Sequence, residues 1–117
     1  MTKTADWTFL SNYAHVLVCL ADNPAATIRE IAVEVGITER SAMRLITQLD
    51  DAGIIRREKE GRRNHYLVDV NAPLRHPLEA HCTVGQLLEI LLSADRMQRL
   101  RQEQAGWKKS PARASTR

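Results

Sequence analysis

From Phe9 to Leu20 the apolar residues Phe9, Leu10, Tyr13, Val16, Leu17 and Leu20 return at steps that lay them along one stripe of an α-helix. "ADNPAAT" interrupts the pattern, because Asn23 precedes Pro24 and a residue before proline is pushed out of the helical region. Thr27 opens a second helix: in "TIRE" its hydroxyl is placed for the Glu30 N–H, and the Glu30 carboxylate can reach back. Ile28, Ile31, Ala32 and Val35 form the buried side of this short helix, and Gly36 suits the left-handed residue that ends it. Only Ile37 then precedes Thr38, another N-cap, so the third helix must cross the second steeply with Ile37 in the angle. In "ERSAMRLITQLDDAG", which ends at Gly53, Ala42, Ile46 and Leu49 fall within an arc of about 60°, with Leu45 at its edge. Arg40, Met43, Arg44 and Thr47 gather on the other side, leaving a spare polar face.

The period then changes. "IIRREKE" and "HYLVDV" read as two short strands with turn chemistry at Gly61 and a loop of about four residues. His65, Leu67 and Asp69 are expected on one face, with Tyr66, Val68 and Val70 turned to the core. "NAPLRHPLEAHC" carries two prolines and no helical period, and reads as a structured connector. "TVGQ", residues 83–86, is a second capping box, followed by the stripe Val84, Leu87, Leu88, Leu91, Ala94, Met97 and Leu100 of a helix that runs to about Gln104.

The organisation that follows is an arm at 1–7, a helix-and-hairpin domain at 8–72, the connector at 73–82, one long helix at 83–104 and a basic mobile tail at 105–117. A length of 117 residues supplies one modest core, and aromatics at 4% require it to be built from Leu, Ile, Val and Ala. The formal charge of +3 matters through its placement. Arg56 to Arg63 holds five basic residues against two acidic ones, whereas the signs alternate through 22–51; a local positive patch of this kind suits a polyanion better than a membrane. Cys19 and Cys82 are far apart, with no CxxC spacing, and Cys19 reads as a buried thiol. "MTKTADWTFL" has no basic-then-apolar leader pattern and no apolar run approaches a membrane span, so the expectation is a cytoplasmic protein with no membrane association.

Helix, helix, tight turn, helix, hairpin is the order of a winged helix-turn-helix, and the expected fold is mainly α with a small β-hairpin: a three-helix core plus wing, then a C-terminal dimerisation helix. A helix about 12 Å across fits the major groove of B-DNA. The third helix is the one with residues to spare for it: Arg40, Ser41, Met43, Arg44 and Thr47 are its candidate contacts. Arg62, Arg63 and Asn64 at the hairpin are expected to meet the minor groove or the adjacent backbone. The N–H groups around Thr27 and Ile28 are candidates for a phosphate oxygen.

The stretch "GITERSAMRLITQLDDAGIIRREKEGRRNHYLV" also resembles the recognition-helix-plus-wing segment of small prokaryotic regulators of the MarR/ArsR-like winged-helix type, over roughly residues 10–92. The resemblance implies a DNA-binding transcriptional regulator in which Arg40, Met43, Arg44 and Thr47 lie on the recognition helix and Gly61 to Asn64 form the wing. The single helix after the wing implies a reduced ligand-binding dimer platform.

One helix as long as 83–104 cannot bury its whole apolar side on so small a domain, so Val84, Leu87, Leu88, Leu91, Ala94 and Met97 are expected to form a homodimer seam. A dimer offers two recognition helices to a roughly palindromic operator on double-stranded DNA. Rival readings are a winged-helix protein-interaction module and an ArsR-like sensor that uses residues 76–82. For the second, His76, His81 and Cys82 are suitable metal ligands in type, but no CxC or HxxxH spacing joins them, so no metal or other cofactor is expected. The same segment leaves room for a small-molecule effector. No paired carboxylates, Ser/His/Asp set or phosphate loop supports an enzyme.

Overall fold

The computed structural model describes residues 6–108. Three helices come first: α1 (Asn12–Asp22), α2 (Ile28–Val35) and α3 (Glu39–Asp51). They are followed by an antiparallel hairpin of β1 (Ile55–Glu60) and β2 (Arg63–Val68), then α4 (Val84–Leu91) and α5 (Ala94–Lys108). This is the winged helix-turn-helix order, mainly α, with two helices after the wing in place of the expected one.

Local chemistry fixes the ends. Thr27 and Thr83 each make a complete capping box, with Glu30 and Gln86. Gly36 ends α2 at φ 88°, and both its own N–H and that of Ile37 donate to the Ala32 carbonyl at 2.8 and 3.0 Å. This tight stop lets Thr38 cap α3 at once, through the Ser41 N–H at 3.0 Å. Gly53 closes α3 in the same way, and the Ile54 N–H donates to the Leu49 carbonyl at 3.0 Å.

One core joins all the elements. Val16, Leu17 and Leu20 of α1, Ile31 and Ala32 of α2, and Ala42, Leu45, Ile46 and Leu49 of α3 are buried with Ile55, Tyr66 and Val68 of the wing. Tyr66 also donates its N–H to the Pro24 carbonyl, 2.9 Å away, so the loop between α1 and α2 seals the outer side of β2. Leu67 is buried as well, although alternation places it opposite Tyr66; α5 runs against β2, with the Glu103 carboxylate 3.8 Å from His65 Nε2.

Three expectations change. The first helix starts at Asn12, so Phe9 lies ahead of it and is 93% exposed, stacked edge-on against Trp7. The hairpin loop is two residues, Gly61 and Arg62, because Glu60 pairs with Arg63. Gly61 takes φ 66° and, among the described residues, no non-glycine residue has positive φ, the pattern of a type II′ turn with glycine first. The long C-terminal helix is broken: Leu92 is extended, and Ser93 restarts the chain by accepting from the Arg96 N–H at 3.2 Å. The break turns α5 back onto the domain, where Met97 and Leu100 are buried and Arg96 pairs with Asp22 of α1 at 3.2 Å.

The connector folds on itself through a bridge between Pro73 and Thr83 and a Leu74 N–H bond to the Cys82 carbonyl at 2.9 Å. α4 then approaches very closely: the Gly85 N–H donates to the Val70 carbonyl at 2.8 Å, and a Cβ at that position would lie 2.8 Å from the same oxygen. Residues 105–108 continue α5, and the expected basic tail beyond them lies outside the described residues.

Candidate nucleic-acid interface

The core face of α3 fixes what its opposite face shows. With Ala42, Leu45, Ile46 and Leu49 turned inward, Arg40, Met43 and Arg44 are exposed and Thr47 is half-buried beside them. Ser41 is drawn toward the helix start, where its Oγ accepts from the Thr38 hydroxyl at 3.0 Å, so it sits apart from the other four. On the wing, Arg62 and Arg63 are exposed and Asn64 is half-buried.

These arginines lack a counter-charge, as Arg75 and Arg99 do elsewhere among the described residues, but here several stand together on two adjoining elements. Among the described residues, Arg40, Arg44, Lys59, Arg62 and Arg63 have no carboxylate oxygen within 4.0 Å. The acids nearby in sequence are engaged elsewhere: Glu39 with Arg29 at 3.6 Å, Glu58 with Arg56 at 2.7 Å, and Glu60 with His65 at 3.8 Å. Lys59 thus joins the cationic set.

The remaining wing arginine holds the two elements together. Arg57 Nε and Nη2 both donate to Asp50 Oδ2, at 3.3 and 3.1 Å, and Nη1 lies 3.9 Å from Met43 Sδ. The wing root is therefore fastened beside the exposed flank of α3. Asp50, toward the far end of the helix, is 6% exposed. The signal was present: at 100° per residue Asp50 lies about 20° from Met43 and about 40° from Ile46, on the margin of the core face.

The α2 N-terminus is less open than its sequence suggests. The Thr27 N–H already donates to Glu30 Oε1 at 2.9 Å, and a carboxylate occupies the place where a phosphate oxygen would lie. Ile28, half-buried, keeps its place at the first turn.

The expected seam residues divide. Val84, Leu88 and Met97 are spent inside the protein's own core, because α4 sits against Val70 and α5 folds back. Leu87 is half-buried, while Leu91, Ala94 and the neighbouring Ile90 are exposed. Leu87 borders a groove of about 620 Å³ that is shared with Phe9, Tyr13, Leu49, Leu74 and Arg75. Its floor is tied by the Tyr13 hydroxyl, which donates to Gln48 Oε1 at 2.6 Å.

Among the described residues no group of three or more His, Cys, Asp or Glu side chains is arranged to hold a metal ion. His76 Nδ1 instead accepts from the Leu78 N–H at 3.0 Å within the connector. Burial pushes the Cys19 thiol up to about 11, assisted by the charges of Glu34 and Asp22. No helix among the described residues is long and apolar enough to cross a membrane.

Residues 11–62 match the model of the MarR family. The matched stretch runs from the start of α1 to the wing tip and contains both the recognition-helix candidates and Arg62; β2, the connector, α4 and α5 lie beyond it. Comparisons with curated proteins and with solved structures give no match.

Proposed function

We propose, since residues 11–62 form a MarR-family winged helix-turn-helix domain, that this protein is a sequence-specific transcriptional regulator of double-stranded DNA, a binding protein of the cytoplasm and not an enzyme. α3 enters the major groove, with Arg40, Met43, Arg44 and Thr47 toward base edges and Ser41 toward the flanking backbone. Arg62, Arg63 and Asn64 lie on the neighbouring minor groove or its phosphates, and Lys59 adds to the field. Ile28 remains the candidate for a phosphate at the start of α2.

The observation that carries this reading is the set of five cations on α3 and the wing with no carboxylate in reach among the described residues. A merely solvated face is expected to interleave signs in mutual contact. Here Glu39 and Glu58 are paired with other arginines, and the cations of α3 and the wing are left for a partner of high negative charge.

The protein acts as a homodimer on a roughly palindromic site. Leu87, Ile90, Leu91 and Ala94 of α4 and the α5 start are the seam candidates still at the surface, together with Phe9 across the groove; Val84, Leu88 and Met97 support them from within. The groove that the connector lines through Leu74, Arg75 and Glu79 supports a small-molecule effector as a second element of the same regulator.

The test is duplex affinity as salt is varied. A dimer that neutralises about six phosphates gives a log–log slope of roughly −5. A flat response with weak binding would instead favour a protein-interaction module.

A further inference from the structure

Arg57 is the third residue of β1, and its guanidinium leaves the wing to lie along the flank of α3. Two of its nitrogens hold one oxygen of Asp50, at 3.3 and 3.1 Å, while the third reaches 3.9 Å from the Met43 sulfur. Asp50 and Met43 are two turns apart on the same side of the helix. The carboxylate is nearly buried, whereas Met43 is exposed among the residues offered to DNA.

We infer that Arg57 is a positioning residue that sets sequence discrimination without touching DNA: it locks the wing root to α3 and holds the Met43 side chain in one orientation. This rests on the DNA-binding reading above. A methionine has three rotatable bonds and settles into many shapes when nothing holds it. The guanidinium is planar, with its donors in a fixed fork, so anchoring one side on Asp50 determines where the other points. Met43 is the apolar member of the exposed set, suited to a thymine methyl, and such a contact discriminates only if the thioether stands in one place.

Lysine separates the charge from the geometry. Arg57→Lys keeps a cation beside Asp50 but has no fork with which to span from carboxylate to sulfur. Two measurements on this variant test the inference. In methyl NMR of the DNA-free protein with labelled methionines, the Met43 signal is expected to move or broaden while that of Met97, buried in the core, stays in place. In binding, the ratio of affinities for a duplex selected from random sequence and a scrambled duplex is expected to fall about fivefold or more. Affinity for the scrambled duplex and its salt slope stay unchanged, since the charge is kept.

A Met43 signal that does not respond overturns the inference, as does an equal loss on both duplexes, which marks Arg57 as a general support of the wing with no part in discrimination. Wild-type protein that binds no duplex at any salt overturns the DNA reading and the selectivity role together; the Met43 signal, read without DNA, then tells that failure from absence of the contact. If Arg57→Lys also displaces the Met97 signal, the decision passes to Asp50→Asn and to Met43→Leu at its exposed position. In the Met43→Leu background, removing the Arg57–Asp50 pair through Asp50→Asn is expected to change the affinity ratio by less than about twofold, because the two act through one contact. A full, additive loss there refutes the coupling.

Discussion

The cations on the two sides of this molecule differ in company. Behind the wing, Arg96 of α5 pairs with Asp22 of α1, and Arg101 pairs with Glu89 of α4, so each fastens one element to another. On α3 and the wing tip, Arg40, Arg44, Arg62 and Arg63 have no such neighbour among the described residues; Arg75 and Arg99 have none either, but each stands singly, whereas these four are grouped. A net charge of +3 hides this contrast. The lesson is that a modest overall charge builds a polyanion-binding surface when the acids are committed elsewhere, and that arginine identity alone does not say which role a position has.

Substitutions on the two sides therefore ought to diverge. The largest effect is expected from Arg62→Ala with Arg63→Ala, which removes two contacts with phosphate or the minor groove. Affinity for every duplex falls by about a hundredfold at low salt, and the log–log slope becomes shallower by about two. An unaltered slope, measured by fluorescence anisotropy over a salt series, would remove the wing from the interface. Next comes Gly85→Leu on the other side, where a Cβ meets the Val70 carbonyl oxygen at 2.8 Å. It is expected to destabilise the fold by about 1–3 kcal/mol in urea unfolding, since α4 must move off the core.

Arg44→Ala is narrower in effect. It is expected to cost about 1–3 kcal/mol at one base pair and to relax preference there, as read from selection on random duplexes. Arg96→Ala, the control from the paired side, is expected to cost about 0.2–1 kcal/mol of stability and to leave the salt slope unchanged. A slope that changed as much as for the wing variant would erase the distinction between the two sides.

The smallest effect concerns Cys19. Its thiol is raised in the fold to about 11 from an ordinary value of 9.0, so the protonated form is the one the fold favours. The contribution to stability is complete below pH 9.0 and declines as pH rises toward about 11, where the folded thiol also ionises. Alkylation of the native protein at Cys19 should be slow at pH 8 and accelerate on unfolding, a difference mass spectrometry can follow.

Much of this was legible locally. Thr27 with Glu30 and Thr83 with Gln86 announce two helix starts, Gly36 and Gly53 announce two ends, and the inward arc of α3 is built as its spacing predicts. The apolar stripe of the C-terminal segment misled because a straight helix and a broken one can share it. Met97 and Leu100 keep their spacing from Leu88 whichever way the chain turns at Leu92, and only Ser93 as an N-cap, followed by Asp95 in the first turn, marks the break. Phe9 fits the stripe of α1 by count, but the helix begins three residues later, and no local rule places an aromatic side chain once it is outside the helix. The bond from Arg57 to Asp50 joins two elements, and periodicity within either is silent about it.

The Pro24 carbonyl covers one border of the hairpin at Tyr66, which leaves β1 with the unguarded border. That strand reads Ile-Arg-Arg-Glu-Lys-Glu, and a rim crowded with ionic groups is a poor template for a stray chain to extend. The wing thus stays a two-stranded ribbon for the same reason that it is polar. Exchanging Lys59 and Glu60 for valines would make this margin adhesive as well as altering its charge.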